Sequence, residues 1–107
     1  SFEDVRGDHE VWGRLVEVAV GAYLVNDASK AGLEVYYWRE GNLEVDYVLR
    51  KGKKLLAIEV KSGRRRTSLT GLTAFSKNFK GAKALVVGSG GIEIDQFLAT
   101  PVLEWFT

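Results

Sequence analysis

Asp46, Glu59 and Lys61 place charge in stretches of this chain that are otherwise largely apolar. Glu59 and Lys61 alternate with apolar residues in Ile58-Glu59-Val60-Lys61-Ser62-Gly63, and Asp46 precedes Glu59 by thirteen positions. Charges seldom enter a small domain unless they are paired or bind a metal. Two apart on a strand, Glu59 and Lys61 share a face with Leu55 and Ala57, while Leu56, Ile58 and Val60 take the other. A hairpin turning near Gly52 reflects Glu59 onto position 45, so Asp46 falls nearly opposite Glu59. Two carboxylates at one end of a hairpin can hold Mg²⁺ or Mn²⁺ through oxygen. A metal there would generate hydroxide from water and neutralise charge developing on a phosphate, with Lys61 orienting the water or touching the phosphate. The competing reading is an ion pair of Lys61 with Glu59 or Asp46 that satisfies only its own charges.

The elements that must position these residues follow from periodicity. Asp8 is an N-cap for a helix over about 9–29, in which Val11, Trp12, Leu15, Val16, Ala19, Ala22 and Tyr23 form a broad apolar face and which Gly32 ends. Val35 to Trp38 is strand material, and Leu43 to Arg50 alternates as a half-buried strand. Leu55 to Val60 is a near-continuous apolar run, as in a central strand covered on both faces. A helix over about 68–79 carries Leu69, Leu72, Phe75 and Phe79 on one side. The short strand Ala84 to Val87 follows that helix, so it should run parallel to another strand through a crossover. Ile92-Glu93-Ile94 reads as a short edge strand, and Thr100-Pro101 opens a final helix over 102–106. The expected fold is α/β, a mixed sheet flanked by helices in a single domain spanning 1–107.

The 107 residues suffice for one core. No apolar run is long enough for a transmembrane helix, and the absence of cysteine excludes disulfides and thiolate metal sites, which fits a cytoplasmic protein. The start at Ser1-Phe2-Glu3 without methionine reads as a domain cut from a longer protein. Net charge is +1, but residues 1–46 carry ten acids and four bases, whereas 47–107 carry eleven bases and four acids. Eight of those bases lie between Arg50 and Arg66, a bias that suits an anionic partner or a solvated loop. Arg64, Arg65 and Arg66 follow the lysine strand and would hold phosphates near the metal, with Lys77, Lys80 and Lys83 extending the patch. Gly88-Ser89-Gly90-Gly91 is not a nucleotide loop, because no helix opens on it, and no Gly-x-x-x-x-Gly-Lys-Ser/Thr loop exists in the chain. His9 lacks the partners of a catalytic triad, and Trp12, Trp38, Trp105 and Phe75 read as core.

Val45-Asp46-Tyr47 followed by Ile58-Glu59-Val60-Lys61-Ser62-Gly63 resembles the PD-(D/E)XK nuclease superfamily. Gly13-Arg14-Leu15-Val16-Glu17, Tyr36-Tyr37-Trp38-Arg39 and Glu44 to Leu49 extend the resemblance over about 10–106. Together they resemble an uncharacterised nuclease-like domain at the C-terminus of bacterial and archaeal AAA+ P-loop ATPases. The resemblance implies a restriction-endonuclease-like αβββαβ core and a Mg²⁺- or Mn²⁺-dependent deoxyribonuclease. Asp46 and Glu59 would hold the metal, Lys61 would be the catalytic lysine, and Glu17 the acid that many such nucleases carry on their first helix. It also implies DNA and the parent chain's ATPase domain as partners. Val45 stands where the superfamily's name has proline. Gly13 and Gly21 bracket Glu17 within its helix, where glycine costs about 1 kcal/mol against alanine, so another backbone or a ligand should approach there; the alternative is close helix–sheet packing with Glu17 in water. Two non-catalytic readings stay open: a nuclease-fold module that binds DNA or docks a partner for an ATPase, and a dimerisation module forming a homodimer.

Overall fold

The computed structural model describes residues 9–61 and 70–106. The Asp8 cap and the Arg64–Arg66 loop lie outside them. Helix α1 (His9–Ala31) is followed by strands β1 (Glu34–Glu40), β2 (Leu43–Lys51) and β3 (Lys54–Lys61). Helix α2 (Thr70–Asn78), strand β4 (Lys83–Gly88), helix α3 (Ile94–Ala99) and a 3₁₀ turn (Val102–Phe106) complete the chain. The sheet order is β1-β2-β3-β4; β1, β2 and β3 pair antiparallel, and β4 joins β3 in parallel. This is the expected mixed sheet flanked by helices, with the parallel crossover supplied by α2. Among the described residues no helix is long and apolar enough to cross a membrane.

β3 is buried from Leu56 to Val60 because both sheet faces are covered there. On one face, Val16, Val20, Leu24 and Ala28 of α1 pack with Leu49, Leu56, Ile58, Val60, Val87, Phe97 and Val102. On the other, Leu72 and Phe75 of α2 cover Val45, Val48 and Ala57, with Trp38 edge-on to Phe75 at 5.4 Å between ring centroids. Of the apolar face that the pattern suggests, α1 buries Val16 and half-buries Trp12, Ala19 and Tyr23, but leaves Val11, Leu15 and Ala22 exposed. Leu15, Val18 and Val25 are 48%, 69% and 60% exposed. The helix is apolar nearly all round, so periodicity alone cannot choose the face that the sheet covers. Its C-terminus closes as a Schellman motif: Leu33 N–H donates to the Ala28 carbonyl (2.8 Å) and Gly32 N–H to that of Ser29 (3.3 Å), with Gly32 at φ +71°.

The segment Ile92 to Ile94 differs from its expected form. Ile92 makes a single bridge to Val87, and Ile94 then starts a helix that buries Phe97. The alternation of Ile92 and Ile94 is also the start of a helical spacing, Ile94–Phe97–Leu98, and packing against the first core decides between them. The C-terminal turn is tied to α1. Val102 N–H donates to Asp27 Oδ2 (3.1 Å), Trp105 Nε1–H to the Tyr23 hydroxyl (3.3 Å), and that hydroxyl to the Thr100 carbonyl.

Candidate active site

The β2–β3 ladder runs from Lys51↔Lys54 to Tyr47↔Ile58, and one further step brings Asp46 beside Glu59. At that step the Asp46 side chain takes over from the backbone: its Oδ2 accepts the Val60 N–H at 2.9 Å. The carboxylate is thereby fixed at the end of the ladder, and the Val60 donor is satisfied. A β-bulge sits at the same place. Between the pairs Tyr36↔Val48 and Trp38↔Val45, β1 advances two residues and β2 three, so Asp46 and Tyr47 together oppose Tyr37. Bulges re-aim side chains and are frequent beside functional sites. Here the extra residue lets Val45 and Val48 both enter the α2-side core.

Among the described residues Glu59 is the only buried polar or charged one, 7% exposed. Its carboxyl is pushed up to about 8, first by burial, then by the neighbouring Asp46 charge and a hydrogen bond between the two carboxyls, with a smaller push from Glu44. An ion pair with Lys61 would act in the opposite direction. Lys61 is half-buried at the end of β3, on the face that Glu59 takes, and among the described residues no ion pair joins the two. The Lys61 backbone is held by the following turn. Its carbonyl accepts the Ser89 N–H (3.2 Å), and Gly88, at φ +107°, admits the close approach because a Cβ there would overlap that carbonyl.

Glu17 is exposed on α1 and is not gathered with the other two acids. Among the described residues no group of three or more His, Asp or Glu forms a metal-binding cluster. Both Glu17 and Asp46 act on Tyr47, whose phenol is raised by burial and then by the charges of Asp46 and Glu17. A Cβ on Gly21 would stand 3.0 Å from the Tyr47 hydroxyl. The close approach that Gly21 suggested is therefore that of an aromatic side chain from β2. Tyr47 is the site residue that sequence reasoning missed. Its signals were its place next to Asp46 and the glycine on the facing helix, but linking them requires the packing of α1 on the sheet.

The residues present fit a divalent cation held by two carboxylates. Mg²⁺ commonly takes one or two protein carboxylates and completes its shell with water and substrate phosphate. A buried carboxyl that shares a proton with a fixed carboxylate offers a cation the same place. Of the lysines expected to extend the Arg64–Arg66 patch, Lys83 pairs with Leu56, three residues before Glu59 on the neighbouring strand.

A family model described as Domain of unknown function (DUF4143) matches residues 12–104. No curated protein and no solved structure matches the chain.

Proposed function

This chain belongs to the DUF4143 family, and we propose that it is a metal-dependent phosphodiesterase domain of the PD-(D/E)XK type that hydrolyses DNA. The observation that carries the reading is the pair Asp46–Glu59: one carboxylate fixed by the Val60 N–H, the other buried beside it and raised rather than lowered by its surroundings. A bound Mg²⁺ or Mn²⁺ would supply a hydroxide at neutral pH and Lewis-acid stabilisation of the phosphate. Asp46 and Glu59 would hold the ion. Lys61, next on the same face of β3, would orient the attacking water and offset charge on the non-bridging oxygens. Glu17 would assist at the metal or the water, and Arg64, Arg65 and Arg66 would hold flanking phosphates. The test is cleavage of plasmid and branched DNA with Mg²⁺ or Mn²⁺ by wild type and Lys61→Ala. Wild-type cleavage that Lys61→Ala abolishes supports the reading, and equal activity of the two refutes it.

One observation favours a second reading. Glu17 stays exposed, so the described acids form a pair rather than a triad. On this reading the domain is catalytically silent and binds DNA, or docks a partner such as an ATPase domain of its parent chain. DNA or partner binding that survives Lys61→Ala and needs no metal is the expected result.

A further inference from the structure

β4 closes the sheet on the side away from β1, and among the described residues its outer edge is paired only at one end. There the Ile92 N–H donates to the Val86 carbonyl and the Ile92 carbonyl accepts the Gly88 N–H, both at 2.8 Å. Backbone groups of successive strand residues point to opposite sides, so Ala84 also turns its N–H and C=O outward, as Val86 does its N–H. These groups have no hydrogen-bond partner among the described residues. Beside this edge, between α2 and β4, lies an open depression of about 340 Å³ lined by Leu72, Thr73, Ser76, Lys77 and Ala84. Leu72 and Ala84 are its apolar lining, and its polar side chains, hydroxyls and an ammonium, can all donate. No acid occurs in the sequence between Glu59 and Glu93. Glu40 meets α2 at Asn78 (3.3 Å) and Glu44 meets it through its backbone at Gly71, both from the β1–β2 side. Glu59, opposite Val86 on β3, is buried and bonded to Asp46. Lys77 and Lys80 are exposed, with no ion-pair partner among the described residues.

We propose that the outer edge of β4 and the adjoining depression together bind an extended acidic peptide segment of a partner protein. The segment joins the four-stranded sheet as a further strand over about three residues, as far as Ile92. Its backbone donates to the Ala84 carbonyl and accepts from the Ala84 and Val86 N–H groups. Ala84 faces α2, so the peptide side chain opposite it projects over the depression. A glutamate there lays its methylenes on Leu72 and Ala84 and brings its carboxylate to Thr73, Ser76 and Lys77, with Lys80 adding positive charge nearby. A phosphate backbone does not match this edge, because the Ala84 carbonyl needs a donor and phosphate oxygens only accept. A second copy of the chain does not match it either, because two β4 edges side by side would set the α2 lysines of the copies against each other.

The test is fluorescence anisotropy of a labelled peptide of alternating valine and glutamate against the full chain in EDTA. Lys77→Gln should weaken binding about tenfold, as loss of a charge-assisted hydrogen bond does. Lys30→Gln, in the last turn of α1 over the opposite sheet face, should bind as wild type does. Two further peptides, N-methylated at the valines or at the glutamates, each block one edge of the added strand. One of them should bind wild type about tenfold more weakly and the other as the parent peptide does. This comparison needs no variant to fold. The Ala84 and Val86 amides should exchange more slowly when the parent peptide is bound. Equal binding of all three peptides overturns the proposal, as does wild-type affinity in Lys77→Gln. So does wild type that ignores the peptide, or that binds a valine–lysine peptide as well.

Discussion

Glu59→Gln is the perturbation whose outcome is most closely determined by the geometry. The Glu59 carboxyl titrates near 4.5 when exposed and is held at about 8 in the folded chain by burial and Asp46. The folded state therefore binds this proton more tightly than the unfolded state does. The stability it contributes is fully present below about 4.5 and is lost as pH rises to about 8. At about 1.4 kcal/mol per unit, the displacement amounts to about 5 kcal/mol at pH 8 and above, and about 3 kcal/mol at pH 7. Glutamine keeps the shape and cannot ionise. The variant should match wild type near pH 5 and become the more stable of the two as pH rises, less the about 1–3 kcal/mol that an imperfectly hydrogen-bonded buried amide costs. Urea unfolding from pH 5 to 9 measures this. Added Mn²⁺ should recover wild-type stability at pH 8 by about 2.7 kcal/mol at a hundredfold excess over its Kd, and should do nothing for Glu59→Gln. A wild-type curve that is flat between pH 5 and 8, or a variant with the wild-type slope, refutes the reasoning.

Asp46→Ala should cost about 1–3 kcal/mol in urea unfolding, because it strands the Val60 N–H at the end of the ladder; it should also lower the Glu59 pKa, read by carboxyl NMR titration, because Asp46 is one of the causes of the rise. Gly71→Ala should be severely destabilising, by about 2 kcal/mol or more, since α2 crosses β2 where a Cβ would overlap the Glu44 carbonyl; a melting temperature within a degree of wild type would contradict the helix–strand contact. Gly21→Ala gains about 1 kcal/mol of helix propensity but meets the Tyr47 hydroxyl at 3.0 Å. In a double-mutant cycle its benefit should therefore appear fully only beside Tyr47→Phe, with a coupling of about 0.5 kcal/mol or more.

Much of the site was legible because the relevant geometry is local. An antiparallel hairpin pairs residues symmetrically about its turn, so locating the turn near Gly52 was enough to bring Asp46 to Glu59. β3 was legible as a central strand because both of its faces are apolar, and β4 as parallel because a helix separates it from β3. The edge strand at Ile92 was misread for lack of the same kind of support: two alternating isoleucines satisfy a strand and the first turn of a helix equally, until Phe97 finds the core.

By itself, then, the sequence determined the order of elements as far as β4 and brought Asp46 beside Glu59 to within one residue of the β2–β3 register, both of which depend on spacing along a few neighbouring residues. Tertiary structure decided what depends on how separate elements pack. It chose the stripe of α1 that is covered, since the helix is apolar nearly all round. It placed Tyr47 against Gly21, within the field of both Glu17 and Asp46, and a bulge relative to β1 set the aim of Asp46 and Tyr47. It also set Lys83 opposite Leu56, because a parallel crossover returns the chain toward the start of β3 before β4 begins.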